Sequence, residues 1–425
     1  MKQNIWRWYA VCGIAVVFAC AVVGCRKDQE KDVPAAETAE AESISFSVKK
    51  YQKKLSADRI PISEYGEKYK DETQSVRAME YKNLDFADCD FQEFPDMNHV
   101  ELLVAEEHGI SVEESWDTIE QWLADIGREE SVDMEKEVRV VSPQLGLDAN
   151  GDYFLFYEYM DELETGVGTH IMSNLCHIQI TENGIYSMSN GKITEYLGEN
   201  SGAINDAMGE YAENVVEAGP LSELQDKKYQ VIDGEMTVGE GAEIVKSYFS
   251  KGTPFACEEG VEVDVPEASV FRLGDVYGFD YMVRRVYDNL PFAYMDHGNY
   301  QLYDGNLVSA DIKHAYVADS SGVAAYAGYN EAERLKSLIA ENNILGLEKS
   351  MEIMSKKMAP QMDVAVKSVG LVYLPMEFEN SKNPEERVIF PCWQVEGTNK
   401  TKGEGIKIYL DVLTSDIYYC MWEEG

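Results

Sequence analysis

The chain has 425 residues, 45% of them apolar, enough for roughly two to four domains with cores of their own. With 77 acidic against 37 basic residues the formal net charge is −40, which excludes a duplex-reading or phosphate-tracking surface. An aromatic content of 11%, with 26 Tyr, excludes a disordered acidic protein.

Residues 1–25 begin with a short positive stretch, Lys2 and Arg7, followed by thirteen residues from Val11 to Val23 that are all apolar or Gly. Such a run has the length of a signal-peptide core and is short for a bilayer about 30 Å thick. It ends in Val22-Val23-Gly24-Cys25, which resembles a bacterial lipobox. Cleavage is expected between Gly24 and Cys25, with a diacylglyceryl group on the Cys25 thiol. Residues 26–43, RKDQEKDVPAAETAEAES, carry six acids against three bases and no aromatic residue. They read as a solvated tether that reaches about 60 Å when stretched. An anionic leaflet repels so acidic a body, so the lipid is the expected means of attachment. Cys89, Cys176, Cys257, Cys392 and Cys420 remain, an odd number without a CxxC. A Cys392–Cys420 disulfide and five buried thiols are both open readings.

A repeated pattern follows. Val112, Trp116, Ile119 and Leu123 form an apolar stripe at offsets 0, +4, +7 and +11. Val238, Ala242, Val245 and Phe249 repeat it, as do Leu347, Met351, Met354 and Met358. Each is one face of an amphipathic helix, expected near 111–126, 237–250 and 346–359. Ser111 with Glu114 and Thr237 with Glu240 are capping-box pairs. Gly346 stands at the third start without the acid. Strand-like runs follow each stripe: 137–142, 152–160, 174–181 and 185–189; then 261–265 with 268–272, 276–288, 291–303 and 307–317; then 362–374, 388–396, 406–412 and 416–421. Glu182-Asn183-Gly184 and Tyr303-Asp304-Gly305-Asn306 are turn signals. A helix is expected around 203–216 and another over 329–341. The fold class expected is α+β: tandem modules of one helix packed on an antiparallel meander sheet, behind a lipoprotein signal peptide and flexible tether. The domains read as 1–24 signal peptide, 25–43 lipidated Cys and tether, then modules over 44–195, 196–328 and 329–425.

The chain closes on Val388-Ile389-Phe390-Pro391-Cys392-Trp393-Gln394-Val395 and then Ile406-Lys407-Ile408-Tyr409-Leu410-Asp411-Val412-Leu413-Thr414-Ser415-Asp416-Ile417-Tyr418. This ending, over 346–421, resembles PepSY-like domains, which close with a Pro-x-Trp strand and a Tyr-Val-Asp-x-x-Thr-Gly-Glu-Ile strand. Leu410 replaces the usual Val, and Ser415-Asp416 stands where Gly-Glu is common. The whole chain resembles a surface lipoprotein family of Gram-positive bacteria. The resemblance implies an extracytoplasmic binding or regulatory module without a catalytic centre.

The residues themselves offer few chemical motifs. His99, His108, His170, His177, His297 and His314 show neither HxH nor HExxH spacing, although His170 and His177 could approach across strands. Glu106-Glu107-His108 reads as a charged surface edge. Asp148-Ala149-Asn150-Gly151-Asp152 opens like a calcium loop but has Tyr153 and Tyr159 where Gly and Glu are required. Gly239-Glu240-Gly241 opens a helix with an acid where a phosphate would sit, so the helix dipole explains it better. Trp116 and Trp122 read as core. No metal or cofactor is expected. The expected function is a lipid-anchored binding or regulatory protein at the outer face of the cytoplasmic membrane, with no enzyme activity and no nucleic-acid partner. It would contact a protein, a peptide or envelope material, with the strands at Trp393 and 406–412 as the contact region. The alternative is an envelope hydrolase using a carboxylate pair among the 77 acids.

Overall fold

The computed structural model describes residues 46–107, 144–147, 153–161, 166–173, 177–181, 186–189, 215–250, 260–293, 300–302, 307–308, 313–328, 333–358, 362–377 and 386–423. Five α-helices lie among them: α1 (Val48–Gln52), α2 (Tyr65–Ala78), α3 (Leu221–Leu224), α4 (Val238–Ser250) and α5 (Leu347–Lys357). The larger part of the described chain is strand. In chain order the principal strands are β1 (Val100–Glu107), β2 (Tyr186–Ser189), β3 (Val215–Pro220) and β4 (Val261–Leu273). There follow β5 (Val276–Tyr287), β6 (Lys313–Val317), β7 (Ala325–Gly328) and β8 (Glu333–Glu341). The last four are β9 (Val364–Glu377), β10 (Glu386–Asn399), β11 (Glu404–Asp411) and β12 (Ile417–Glu423).

Two compact units form. Among the described residues one draws on Glu107–Arg285 and Asp311–Glu333, the other on Ala39–Glu106, Val286–Ala310 and Arg334–Gly425. In the first unit β3, β4, β5, β6, β7 and β2 lie side by side. The sheet continues through His177–Thr181, Gly166–Ser173, Tyr153–Asp161 and Gln144–Leu147. α4 lies against it and buries its whole stripe, Val238, Ala242, Val245 and Phe249, with Phe279, Tyr281 and Val283 of β5. Val238, Val245 and Phe249 removed from water contribute about 2 kcal/mol each and Ala242 less than half of that, which is what holds the helix to the sheet.

In the second unit Tyr300–Gln301, Leu307–Val308, β9, β10, β11 and β12 form the sheet in that order. β1 pairs with β10 and with β8, and Leu84–Asp85 and Asp90–Phe91 run parallel to β9. α2 and α5 pack on each other. Leu347, Met351 and Met354 of α5 are fully buried in a core that includes Tyr65, Tyr373, Trp393 and Tyr409.

The expected tandem series of helix-on-meander modules does not form. The fold is mostly β, and strands from distant parts of the chain complete each sheet. β2, expected in a first module, pairs with β7 of the next. Leu84 pairs in parallel with Val364, and Asp90 with Ser368, so the C-terminal sheet is not a pure antiparallel meander. The helices at 238–250 and 347–357 form where the stripes place them; the stripe over 111–126 lies outside the described residues. Residues 333–341 are a strand rather than the expected helix. The ladder with β1 and burial of Ile339 outweigh a helix preference worth only tenths of a kcal/mol per residue. Leu307–Val308 joins the second unit's sheet and Lys313–Val317 the first, so the single strand expected over 307–317 is divided. Residue 215 begins a strand, and 203–214 lie outside the described residues. Both hairpin signals hold: Ile180 pairs with Tyr186, and Gln301 with Leu307.

Candidate functional site

The glycines around Glu240 serve packing. Thr237 donates its N–H to Glu240 Oε2 at 2.7 Å, and Glu240 donates its N–H to Thr237 Oγ1 at 3.0 Å, the reciprocal pair of a capping box. The backbone hydrogen bond from Thr237 holds the Glu240 carboxyl below its usual pKa. A Cβ at Gly241 would overlap the Tyr281 hydroxyl, which donates to Val238 O at 2.7 Å. The helix start is thus filled by the sheet beneath it.

Several acids are buried with partners that hold them. Glu72 of α2 accepts from the Tyr65 hydroxyl at 2.7 Å and from the Glu348 N–H at 3.1 Å. It caps the start of α5 from another helix, because Gly346 has no side chain to accept a first-turn N–H. Glu101 accepts from the Tyr287 hydroxyl at 3.1 Å, and its Oε1 is 3.4 Å from His99 Nε2. Asp280 Oδ1 lies 3.1 Å from His314 Nδ1 across β5 and β6. Burial disfavours the imidazolium of His314, but Asp280 and the nearby Glu267 outweigh it and hold the pKa above its usual value. This pair has no spacing signal in the sequence, because strand register alone brings residues 34 apart together.

The C-terminal motif is structural. Trp393 is 1% exposed, donates Nε1–H to Leu345 O at 2.9 Å and stacks on Tyr69 with ring centres 5.8 Å apart. Asp411 has no exposed surface. Its Oδ2 accepts from the Tyr51 hydroxyl at 2.7 Å and from Thr414 Oγ1 at 2.9 Å; its Oδ1 accepts from the N–H groups of Leu413 and Thr414 at 2.8 and 3.2 Å. These bonds close the turn between β11 and β12. Ser415 in that turn has φ of 68°, in the left-handed region that favours glycine. Trp393 and 406–412, expected as the contact region, are therefore interior: β11 lies between β10 and β12, and Ile406–Asp411 are buried.

What reaches the rim is β12. It pairs with β11 without a register break from Leu410–Ile417 to Glu404–Glu423, and among the described residues it ends the sheet. Alternation puts Ile417, Tyr419 and Met421 opposite Leu410, Ile408 and Ile406 on the face that also carries Trp393. Tyr418, Cys420 and Trp422 stand on the other face, opposite Tyr409, Lys407 and Gly405. Gly405 leaves room for the Trp422 ring, which a Cβ there would overlap. Lys407 Nζ lies 5.8 Å from the centre of that ring and 3.8 Å from Glu396 Oε2. The edge is a half-buried aromatic strip over a buried cation. Nothing in the alternation of residues 417–423 tells an edge strand from an internal one.

Gly24, Cys25, the tether, His108, His297, the 148–152 loop, Trp116, Trp122, Cys176 and Cys257 lie outside the described residues. His170 is opposite Gln179, and His177 opposite Met172. Cys89, Cys392 and Cys420 are free, buried thiols. Among the described residues no group of three or more His, Cys, Asp or Glu could hold a metal, and no helix is long and apolar enough to cross a membrane. No protein-family model and no curated protein matches the sequence. Among solved structures, the Bacillus megaterium YpeB C-terminal domain aligns with 75% of this chain and 100% of its own at 7% identity, with a TM-score of 0.28. A likeness of that size carries no argument about fold or activity.

Proposed function

We propose that this chain is a binding or regulatory protein of the bacterial envelope that works by contact with a protein or peptide, held at the outer face of the cytoplasmic membrane by a lipid on Cys25. The observation that supports the contact reading is β12, a strand of seven residues that ends its sheet among the described residues. Main-chain groups along such an edge accept an added strand, and alternate side chains select it. The lipobox-like Val22–Cys25 and the tether support the anchoring. A second reading, an envelope hydrolase, has one specific feature in its favour: the Asp280–His314 pair, a carboxylate and an imidazole within hydrogen-bond distance, as general-base catalysis requires.

The test is made on intact chain in cells. Cys25→Ser is expected to leave an unlipidated precursor or to release the protein from membranes, with loss of fatty-acid label; label and membrane binding that survive would overturn the anchor. The purified chain is expected to turn over neither peptidoglycan nor peptide. Turnover that disappears in Asp280→Asn would replace the contact reading with the hydrolase.

A further inference from the structure

Residues 46–56 cross the closing turn of the second unit's sheet with one buried side chain among them, Tyr51. Its ring centre lies 5.8 Å from that of Phe390 on β10, and Phe46 lies 5.6 Å from the same ring. The Tyr51 hydroxyl donates to Asp411 Oδ2 at 2.7 Å. Val48 and Leu55 pack half-buried against the same core. Ser56 donates its N–H to Leu413 O at 2.8 Å, and Lys54 Nζ lies 2.8 Å from Asp416 Oδ2. α1, inside this segment, has five residues and no side-chain cap bond, too few to persist as an isolated helix. Beyond it the chain is pinned: Ile60 and Pro61 pair with Ile344 and Asn343, and Arg59 Nη1 lies 2.9 Å from Glu341 Oε2. A segment with so little buried surface opens locally at a cost below that of unfolding.

We infer that residues 46–56 are a detachable strap whose hold on the 411–416 turn loosens as the surroundings pass from acid to neutral. This stands apart from the contact reading and needs no partner. With the strap docked Asp411 has no exposed surface. Burial is the largest influence on its carboxyl and raises the pKa from 3.8 to about 6, against the bonds from Tyr51, Leu413 and Thr414 that lower it. Lifting Tyr51 away returns water to the carboxyl and lets its pKa fall towards the ordinary value. The closed form therefore binds the proton more readily. Its advantage is complete below about pH 4 and is lost as pH rises through about 6, a change of at most about a hundredfold in the opening equilibrium. The other groups around Asp411 do not cancel it. Burial pushes the Tyr51 hydroxyl and the Cys392 thiol of β10 far up, out of that range. Thr414 and the N–H groups of the turn do not titrate. Tyr418 of β12 and Lys357 of α5, which donates to Ser415 O at 2.7 Å, also border the turn. The Lys54–Asp416 pair needs the Asp416 carboxylate and so favours closure as pH rises, but with the lysine 60% exposed it is weak.

The test follows amide hydrogen exchange of the full chain, in detergent, between about pH 4.5 and 7.5, with each rate divided by that of the unstructured amide at the same pH. The Ser56 and Tyr51 amides, bonded to Leu413 O and Ser47 O, report the strap, and amides of the β10–β11 ladder report the sheet. Strap amides are expected to exchange at least about tenfold faster than ladder amides at each pH. Their protection is expected to fall by about ten- to a hundredfold from the acid to the neutral end. Asp411→Asn is expected to remove most of that fall. Tyr51→Phe keeps the ring and the burial, so it is expected to retain the fall while opening about fivefold more often at neutral pH. Asp416→Asn is expected to retain it as well. Strap amides that exchange in step with the ladder would show that the segment opens only with the whole unit and would overturn the strap. Protection that is flat with pH in the unmodified chain, or an undiminished fall in Asp411→Asn, would overturn the pH response through this carboxyl, and so would a fall that vanishes in Asp416→Asn.

Discussion

Asp411 sits without solvent contact yet keeps four hydrogen-bond donors around its carboxylate. Burial raises its pKa to about 6, against bonds from Tyr51, Leu413 and Thr414 that lower it. A carboxyl with a folded pKa above its unfolded value binds protons more readily in the fold. Its contribution to stability is therefore full below about pH 4 and is lost as pH rises through about 6, a change of about 3 kcal/mol. Asp411→Asn removes this titration. The unfolding free energy of the variant relative to the unmodified chain is expected to rise by about that amount between pH 4 and 7 in urea titrations. A difference flat with pH would mean that the carboxyl titrates alike in both states. The exposed acids Asp85, Glu217, Glu240 and Glu352, held below their usual pKa by hydrogen bonds to lysine side chains or to Thr237, act in the opposite direction. They are common to both proteins and cancel in the comparison.

At the scale of elements, the two described stripes show what periodicity reports. A row of apolar residues at 238, 242, 245 and 249 requires a helix and a surface to bury it, and α4 with β5 supplies both. The contact is close because residue 241 has no side chain. Gly241→Ala is expected to cost about 1–3 kcal/mol through overlap with Tyr281, and less in a Tyr281→Phe background, although Tyr281→Phe alone loses the bond to Val238 O, worth about 1 kcal/mol. A double-mutant cycle by urea unfolding reads the coupling; purely additive costs would show that the hydroxyl is not what the glycine accommodates. The segment 333–341 teaches the converse. Its composition favours a helix, but its pairing partner β1 lies more than 200 residues away in the chain, where no local pattern can register it.

At the scale of the whole molecule, the second unit is assembled from three separated stretches. Trp393 of β10 is covered by Tyr69, Tyr65 and Phe94, all from the N-terminal stretch, and Phe390 by Phe46 and Tyr51. A fragment of residues 334–425 is therefore expected to lack a cooperative urea transition and the near-ultraviolet signal of a packed Trp393, whereas the full chain shows both. A fragment that unfolds cooperatively with that signal would contradict the shared core.

The sequence alone determined the helices of residues 238–250 and 347–357, the hairpins across 182–185 and 302–306, and the run of strands from 364 to 423. Each rests on spacing within one element or one turn, where side-chain period and turn chemistry act over a few residues. It also marked Asp411, Thr414 and Ser415 as a motif, without revealing that their work is to close a buried turn. Tertiary structure alone decided that Leu84–Asp85 and Asp90–Phe91 join β9, that β2 meets β7, that Asp280 meets His314, and that β12 ends its sheet among the described residues. These depend on strand order and register between distant segments, and the burial that selects one pairing over another exists only once the sheets have assembled.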